Sequence, residues 1–150
     1  ELTRMMAESV HDVATVQRNL QRSVEGAEDD LIAQGRQARE LQRDLLRRRM
    51  MSEVPKATAV IVNPTHFAVA IRYQPQAMAA PLVVAKGKNY LAQRIKQRAI
   101  DHSVPIVENP PLAQALYKSV DVGQEIPPSL YRAVAEVLAY IFRLSQRGRR

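Results

Sequence analysis

ATAVIVNPTHFAVAIRY, residues 57–73, decides how the rest of the chain is read. Ala57 to Asn63 is a short β-branched run of the kind that fills a buried strand. His66 to Tyr73 is a second such run. Only Pro64 and Thr65 lie between them, so the two strands are expected to pair antiparallel around a tight turn. Downstream, Gln74 to Ala80 reads as a loop containing Pro75. Pro81 to Ala85 reads as a third strand closed by Gly87. Residues 88–102 read as a helix with Leu91, Ile95 and Ala99 on its apolar stripe. Val104 to Val107 is a fourth short strand, so the unit over 82–107 is expected to be a right-handed parallel crossover. Asn109 suits a helix cap, with Pro110 pre-set for the first position of a helix over 110–119. Gly123 marks a turn, and Pro127-Pro128 opens a last helix over about 128–145. The expected fold class is α/β: a small four-stranded mixed sheet flanked by helices.

Upstream the period changes. Leu2, Met6, Val10, Val13, Val16, Leu20 and Val24 recur at helical spacing. Glu25 to Asp30 is expected to interrupt that helix, because Gly26 breaks it and the acidic cluster suits the first turn of another. The second helix runs from Leu31 until Val54-Pro55 ends it. Residues 1–56 are therefore expected to be a long helical, partly Arg-rich linker, and 57–150 the α/β domain. A chain that begins at Glu1 is expected to be a piece of a longer protein.

The net charge is +7, and all of it comes from the second part. Residues 57–150 carry 12 Lys and Arg against 5 Asp and Glu, whereas residues 1–56 carry 10 of each. A pI near 10 raises a nucleic-acid reading. Few aromatics, no RNA-stacking motif and dispersed charge argue against it. There is no cysteine, hence no disulfide framework and no thiolate metal site. No apolar run approaches the length needed to cross a bilayer. His11 and His102 have no partner at metal-ligand spacing, and Lys86-Gly87-Lys88 is too short for a phosphate loop. No cofactor or metal is expected.

Asn63-Pro64-Thr65-His66 carries the chemistry. One reading is a plain hairpin turn, since Asn and Pro are common turn residues. The other is self-cleavage. An Asn side-chain amide can attack its own main-chain carbonyl, forming a succinimide and expelling the next nitrogen. Ordinarily the following backbone N–H attacks the side chain first, which gives deamidation. Proline has no such N–H, so the cleavage route is left open. A tight turn holds the two reacting groups close. His66 is placed to move a proton, histidine being the side chain that does so near neutral pH. Thr65 is placed to steady the oxyanion through its hydroxyl or backbone N–H.

The surrounding sequence, VPKATAVIVNPTHFAVAIRY, resembles the cleavage region of the FlhB family of flagellar export-gate proteins and their YscU- and SpaS-like injectisome relatives. APLVVAKGK at 80–88, VPIVENPPLA at 104–113, ALYKSV at 115–120 and GQEIPPSLYRAVAEVLAY at 123–140 continue the resemblance in order. It covers about 47–150 and fits the flagellar branch better. The resemblance implies a cytoplasmic domain on the inner membrane, following a membrane part outside this chain. It implies a single cut between Asn63 and Pro64, with Thr65 and His66 assisting. It implies that the two fragments stay associated and that the cut accompanies a switch in export substrate specificity. Its implied partners are other export-gate components, export substrates and their chaperones. Gln114 stands where the family often has Arg, and residues 1–46 lack the expected Lys-rich linker.

Two surfaces complete the expectations. The last helix is apolar beyond one stripe, and Ala80, Pro81, Ala135 and Leu138 are candidates for a shallow substrate-docking patch. Arg36, Arg39, Arg43, Arg47, Arg48 and Arg49 form a basic segment, read as a solvated face, a contact for anionic lipid or a contact for nucleic acid; the resemblance implies that it is membrane-proximal, which fits anionic lipid. The competing functions are an injectisome switch protein, or a basic nucleic-acid-binding or adaptor module with an inert NPTH turn.

Overall fold

The computed structural model describes residues 1–64 and 66–148. They divide into two units, 1–45 and 46–150.

The first unit is helix throughout. Helix α1 spans Leu2–Glu53 without a break, its last turns lying in the second unit. The interruption expected at Glu25 to Asp30 does not occur. A single glycine costs a helix only about 0.5–1 kcal/mol, and good helix formers surround Gly26. Gly26 and Gly35 have open space where a side chain would be, so neither marks a close approach.

In the second unit α1 gives way to a 3-10 turn at Val54–Lys56, which contains Pro55. Then come β1 (Ala59–Asn63), β2 (Phe67–Arg72), β3 (Leu82–Lys88), α2 (Tyr90–Asp101), β4 (Ile106–Glu108), α3 (Pro110–Ser119) and α4 (Tyr131–Arg147). The strands form one mixed sheet in the order β3-β2-β1-β4. β1 pairs antiparallel with β2, from Ala59 opposite Ile71 to Asn63 opposite Phe67. It pairs parallel with β4 through Val60–Ile106 and Val62–Glu108. The crossover through α2 therefore joins the two edges of the sheet, with β2 and β1 between them.

β1 is buried along Ala59–Val62 because both faces of the sheet are covered. Ala59 and Ile61 point to the face packed by Leu112 and Leu116 of α3 and Val134 and Leu138 of α4. Val60 and Val62 point to the other face, with Ile95 and Ala99 of α2, Met50 near the end of α1 and Val54 of the 3-10 turn. Met50 and Val54 are core residues at 5% and 0% exposure. The compact unit thus begins ahead of the compositional boundary drawn at 56/57.

β3 runs through Gly87 to Lys88 instead of ending there. A side chain at Gly87 would meet Leu91 Cγ at 2.6 Å, so the glycine admits α2 against the strand and does not turn the chain. A register shift after Ala70 leaves Ala70 opposite Ala85 and Ile71 opposite Val83, which is a β-bulge at Val84. The outer edge of β3 is covered by the loop at 123–126: Gly123 N–H donates to Val83 O, Val83 N–H to Gln124 O, and Ile126 N–H to Pro81 O. Gly123, at φ +87°, occupies a conformation that suits glycine. Asn109 caps α3, its side-chain oxygen accepting from Leu112 N–H at 3.3 Å.

Candidate self-cleavage turn and apolar groove

Asn63 is the last residue of β1, and Pro64 begins the turn; both are half-buried, while His66 is exposed. Thr65 lies outside the described residues. The backbone N–H of His66 donates to the carbonyl oxygen of Asn63 at 3.1 Å. That bond closes the turn. It also places a fixed donor on the oxygen that gains charge when the Asn63 carbonyl carbon is attacked. Sequence reasoning looked to Thr65 for such a donor; among the described residues it is the main chain of His66.

Three contacts hold the turn from outside. Asn109 N–H donates to Val62 O at 3.0 Å, and Asn89 N–H donates to His66 O at 2.9 Å. The Gln93 side-chain amide reaches Pro64 O at 3.5 Å, at the limit of a hydrogen bond. Asn89 sits at φ 54° and ψ −119°, a conformation rare outside glycine. It turns β3 into α2 and aims its N–H at the turn. Such strain persists only where the surrounding structure enforces it. On the α3 side, Phe67 packs its ring edge-on against His66, with centroids 6.2 Å apart, and tilted against Tyr117 at 4.7 Å. Lys86 Nζ lies 5.1 Å from the Tyr117 ring centre and donates to Tyr117 O at 3.0 Å. Asn89, Gln93, Phe67 and Tyr117 escaped the sequence reading, because no local pattern reports which distant residues meet a turn. Only Asn109 had a signal, as the residue before Pro110.

Ala80, Pro81, Ala135 and Leu138 come together. They line one groove of about 370 Å³ with Tyr73, Ile126 and Phe142. Leu138 at 5% and Ala80 at 4% form its floor. Packing of α4 on the sheet covers Val134, Val137 and Ile141, which accounts for much of the helix's excess apolar character. Tyr131, Tyr140 and Phe142 stay more than 40% exposed.

The basic residues fall in both units. Arg36, Arg39 and Arg43 are exposed in the first; Arg47, Arg48 and Arg49 are exposed in the second. Arg47 and Arg48 line a shallow depression with Arg94 and Arg98 of α2, two arginines the linker reading had not grouped with them. Among the described residues no helix is long and apolar enough to cross a membrane.

The model of the family described as FlhB HrpN YscU SpaS matches residues 27–141. The chain is 56% identical over 99 residues to the flagellar biosynthetic protein FlhB of Aquifex aeolicus, covering 66% of this chain and 28% of that protein. It therefore spans less than a third of the length of that relative. Among solved structures, it superposes on the cytoplasmic domain of FlhB from Shewanella putrefaciens with a TM-score of 0.64 at 47% identity, covering 69% of this chain and 81% of the other. An EscU C-terminal domain, solved with an asparagine replaced by alanine, superposes at 0.59 with 30% identity over 61% of this chain and 92% of the other. With the family's pattern running through all four strands and a shared fold beneath it, the chain belongs to the FlhB HrpN YscU SpaS family.

Proposed function

We propose that this chain is the C-terminal part of a flagellar type III export-gate protein and that it cuts its own backbone once, between Asn63 and Pro64. The observation that carries the cleavage reading is the His66 N–H held on the Asn63 carbonyl oxygen at 3.1 Å, immediately before a proline. The Asn63 side-chain nitrogen attacks its own main-chain carbonyl carbon. The carbonyl oxygen takes the negative charge and keeps the His66 N–H as its donor. A proton leaves the attacking amide and reaches the Pro64 nitrogen as the carbon–nitrogen bond breaks; in this reading the imidazole of His66, two residues past the bond, carries it. The products are a C-terminal succinimide on Asn63, which water opens, and a free secondary amine on Pro64.

The strand order supports association of the fragments after the cut. The piece ending at Asn63 contributes β1, and both its neighbours, β2 and β4, belong to the other piece. Severing the turn leaves both ladders and both buried faces of β1 in place. The higher identity to flagellar relatives favours the flagellar over the injectisome role. Within that role, the groove at Ala80, Pro81, Ala135 and Leu138 receives an apolar segment of an export substrate. The cut accompanies the change from early to late substrates.

The test is a denaturing mass spectrum of the purified chain beside Asn63→Ala. Two fragments meeting at Asn63 and Pro64, absent in the variant, are expected. One intact mass in both would return the turn to an inert connection.

A further inference from the structure

We propose that the basic groove where the end of α1 meets β3 and α2 is a docking site for an acidic segment of a partner protein, one that presents carboxylates and apolar side chains together. The inference does not depend on the cleavage reading.

Two runs of sequence supply the charge. Leu45 to Ser52 holds three arginines and no carboxylate, and Lys86 to Ile100 holds five Lys and Arg and no carboxylate. The fold joins parts of both within the second unit. Arg47, Arg48, Arg94 and Arg98 line one depression of about 480 Å³. Arg47 and Arg94 also line a second, of about 510 Å³, which continues to Lys88 and Tyr90. Asp101 is the one carboxylate lining either depression among the described residues, and it accepts from the Gln97 side chain at 2.9 Å. Lys86 is engaged by Tyr117 O and by Asp121. Arg48, Lys88 and Arg94 are exposed and pair with no carboxylate among the described residues. A cleft walled by one sign of charge focuses its field and concentrates the opposite charge.

Shape and lining select the ligand. Leu46, Met50, Leu91 and Val122 line the second depression beside the cations. Gly87 lets Leu91 sit against β3, and Arg98 Nε donates to Met51 O at 3.3 Å, tying α2 to the last turn of α1. The groove is therefore formed before a ligand arrives, which lowers the ordering cost of binding. Arg94 and Arg98 stand one turn apart on one face of α2. An acidic protein segment can insert both carboxylates and apolar side chains into such a concave surface. Lipid headgroups supply only the charge and would leave Leu46 and Leu91 uncovered. Among the described residues lining the groove, Tyr90 at 77% is the one exposed aromatic ring, whereas single-stranded nucleic acid stacks its successive bases on several.

The test is fluorescence anisotropy of the whole chain with a labelled synthetic peptide, glutamate with leucine at every third or fourth place. Saturable binding at micromolar concentrations is expected. Arg94→Glu with Arg98→Glu should raise the dissociation constant about tenfold or more. Arg48→Glu with Lys88→Glu should do the same, and neither of those side chains makes a hydrogen bond or ion pair within the described residues. Arg132→Glu with Arg143→Glu, both exposed on α4 and equal in charge change, should leave the constant within about twofold, since the salt-screened effect of net charge is weak at a distance. A peptide with serine in place of leucine should bind about fivefold more weakly or worse, because it loses the apolar lining. Far-UV circular dichroism of each variant separates lost binding from lost folding. Absence of saturable binding overturns the proposal. So does equal weakening by the α4 pair, which reduces the effect to net charge, and so does equal affinity for the serine peptide. A chain that ignores the peptide but binds phosphatidylglycerol vesicles or oligouridylate through Arg94 and Arg98 overturns it in favour of a lipid surface or RNA.

Discussion

At the scale of single residues, the proposed self-cleavage rests on a pairing legible in sequence and a donor that is not. Asn63 followed by Pro64 removes the competing nucleophile, which follows from the covalent structure of proline alone. Replacing Pro64 with alanine restores an N–H. An intact chain carrying aspartate or isoaspartate at residue 63 is then expected by mass spectrometry and peptide mapping. The donor on the Asn63 oxygen comes from the backbone of His66. A side-chain change there removes proton transfer and leaves the donor. His66→Ala is therefore expected to slow cleavage about 10²–10⁴-fold without abolishing it, measured as the half-time of fragment appearance after refolding; an unchanged half-time removes the imidazole from the mechanism. Gly87 is a residue whose role sequence misplaced. Glycine signals a turn on composition, but here Leu91 occupies the space a Cβ would need, at 2.6 Å. Gly87→Ala is expected to cost about 1–3 kcal/mol in denaturant unfolding, because Leu91 must leave its place on the strand.

At the scale of elements, the strands and helices of 57–147 were legible because each carries its own period. β1 and β2 are β-branched runs bounded by a turn, and α2, α3 and α4 carry stripes and caps. The pairing order was not legible. Nothing local says that β4 lies beside β1 and β3 beside β2, since those choices depend on which faces α2 and α3 cover. The order has a consequence for the proposed cut. The piece ending at Asn63 would hold only β1 of the sheet, a strand clamped between β2 and β4. The two pieces are expected to co-elute as one species in native size exclusion and to separate only in denaturant; separation in native buffer would contradict the clamped arrangement. The one element misjudged in kind was α1, divided by sequence into two helices. An acidic cluster with one glycine resembles a start signal, but without a capping residue that leaves the helical conformation the ladder of hydrogen bonds continues through it.

At the scale of the whole molecule, the compact unit begins at Leu46, and its core reaches back to Met50 and Val54. A chain starting at residue 46 is expected to unfold at nearly the same denaturant midpoint as the α/β unit in the full chain. One starting at 57 forfeits two buried apolar side chains, worth about 1.5–3 kcal/mol each, and is expected to unfold at a clearly lower midpoint. The groove assembles at this scale too. Ala80 and Pro81 precede β3, while Ala135 and Leu138 lie on α4, and only the packing of α4 on the sheet joins them. Leu138→Asp is expected to weaken capture of an export substrate while Asn63-Pro64 is still cut; loss of both would mean the core had failed, since Leu138 is also 5% exposed core. The sequence by itself determined the α/β class, the identity of the strands and the family resemblance, and it singled out the bond proposed for cleavage. Each of these is written in covalent chemistry or in periodicities of two and of three to four residues, which are local. Only the tertiary structure decided that β1 is central, that the His66 amide meets the Asn63 oxygen, that Asn89 and Gln93 brace the turn and that the groove is one surface. Those depend on contacts between residues far apart in the chain, and the burial that selects them exists only once the chain has closed on itself.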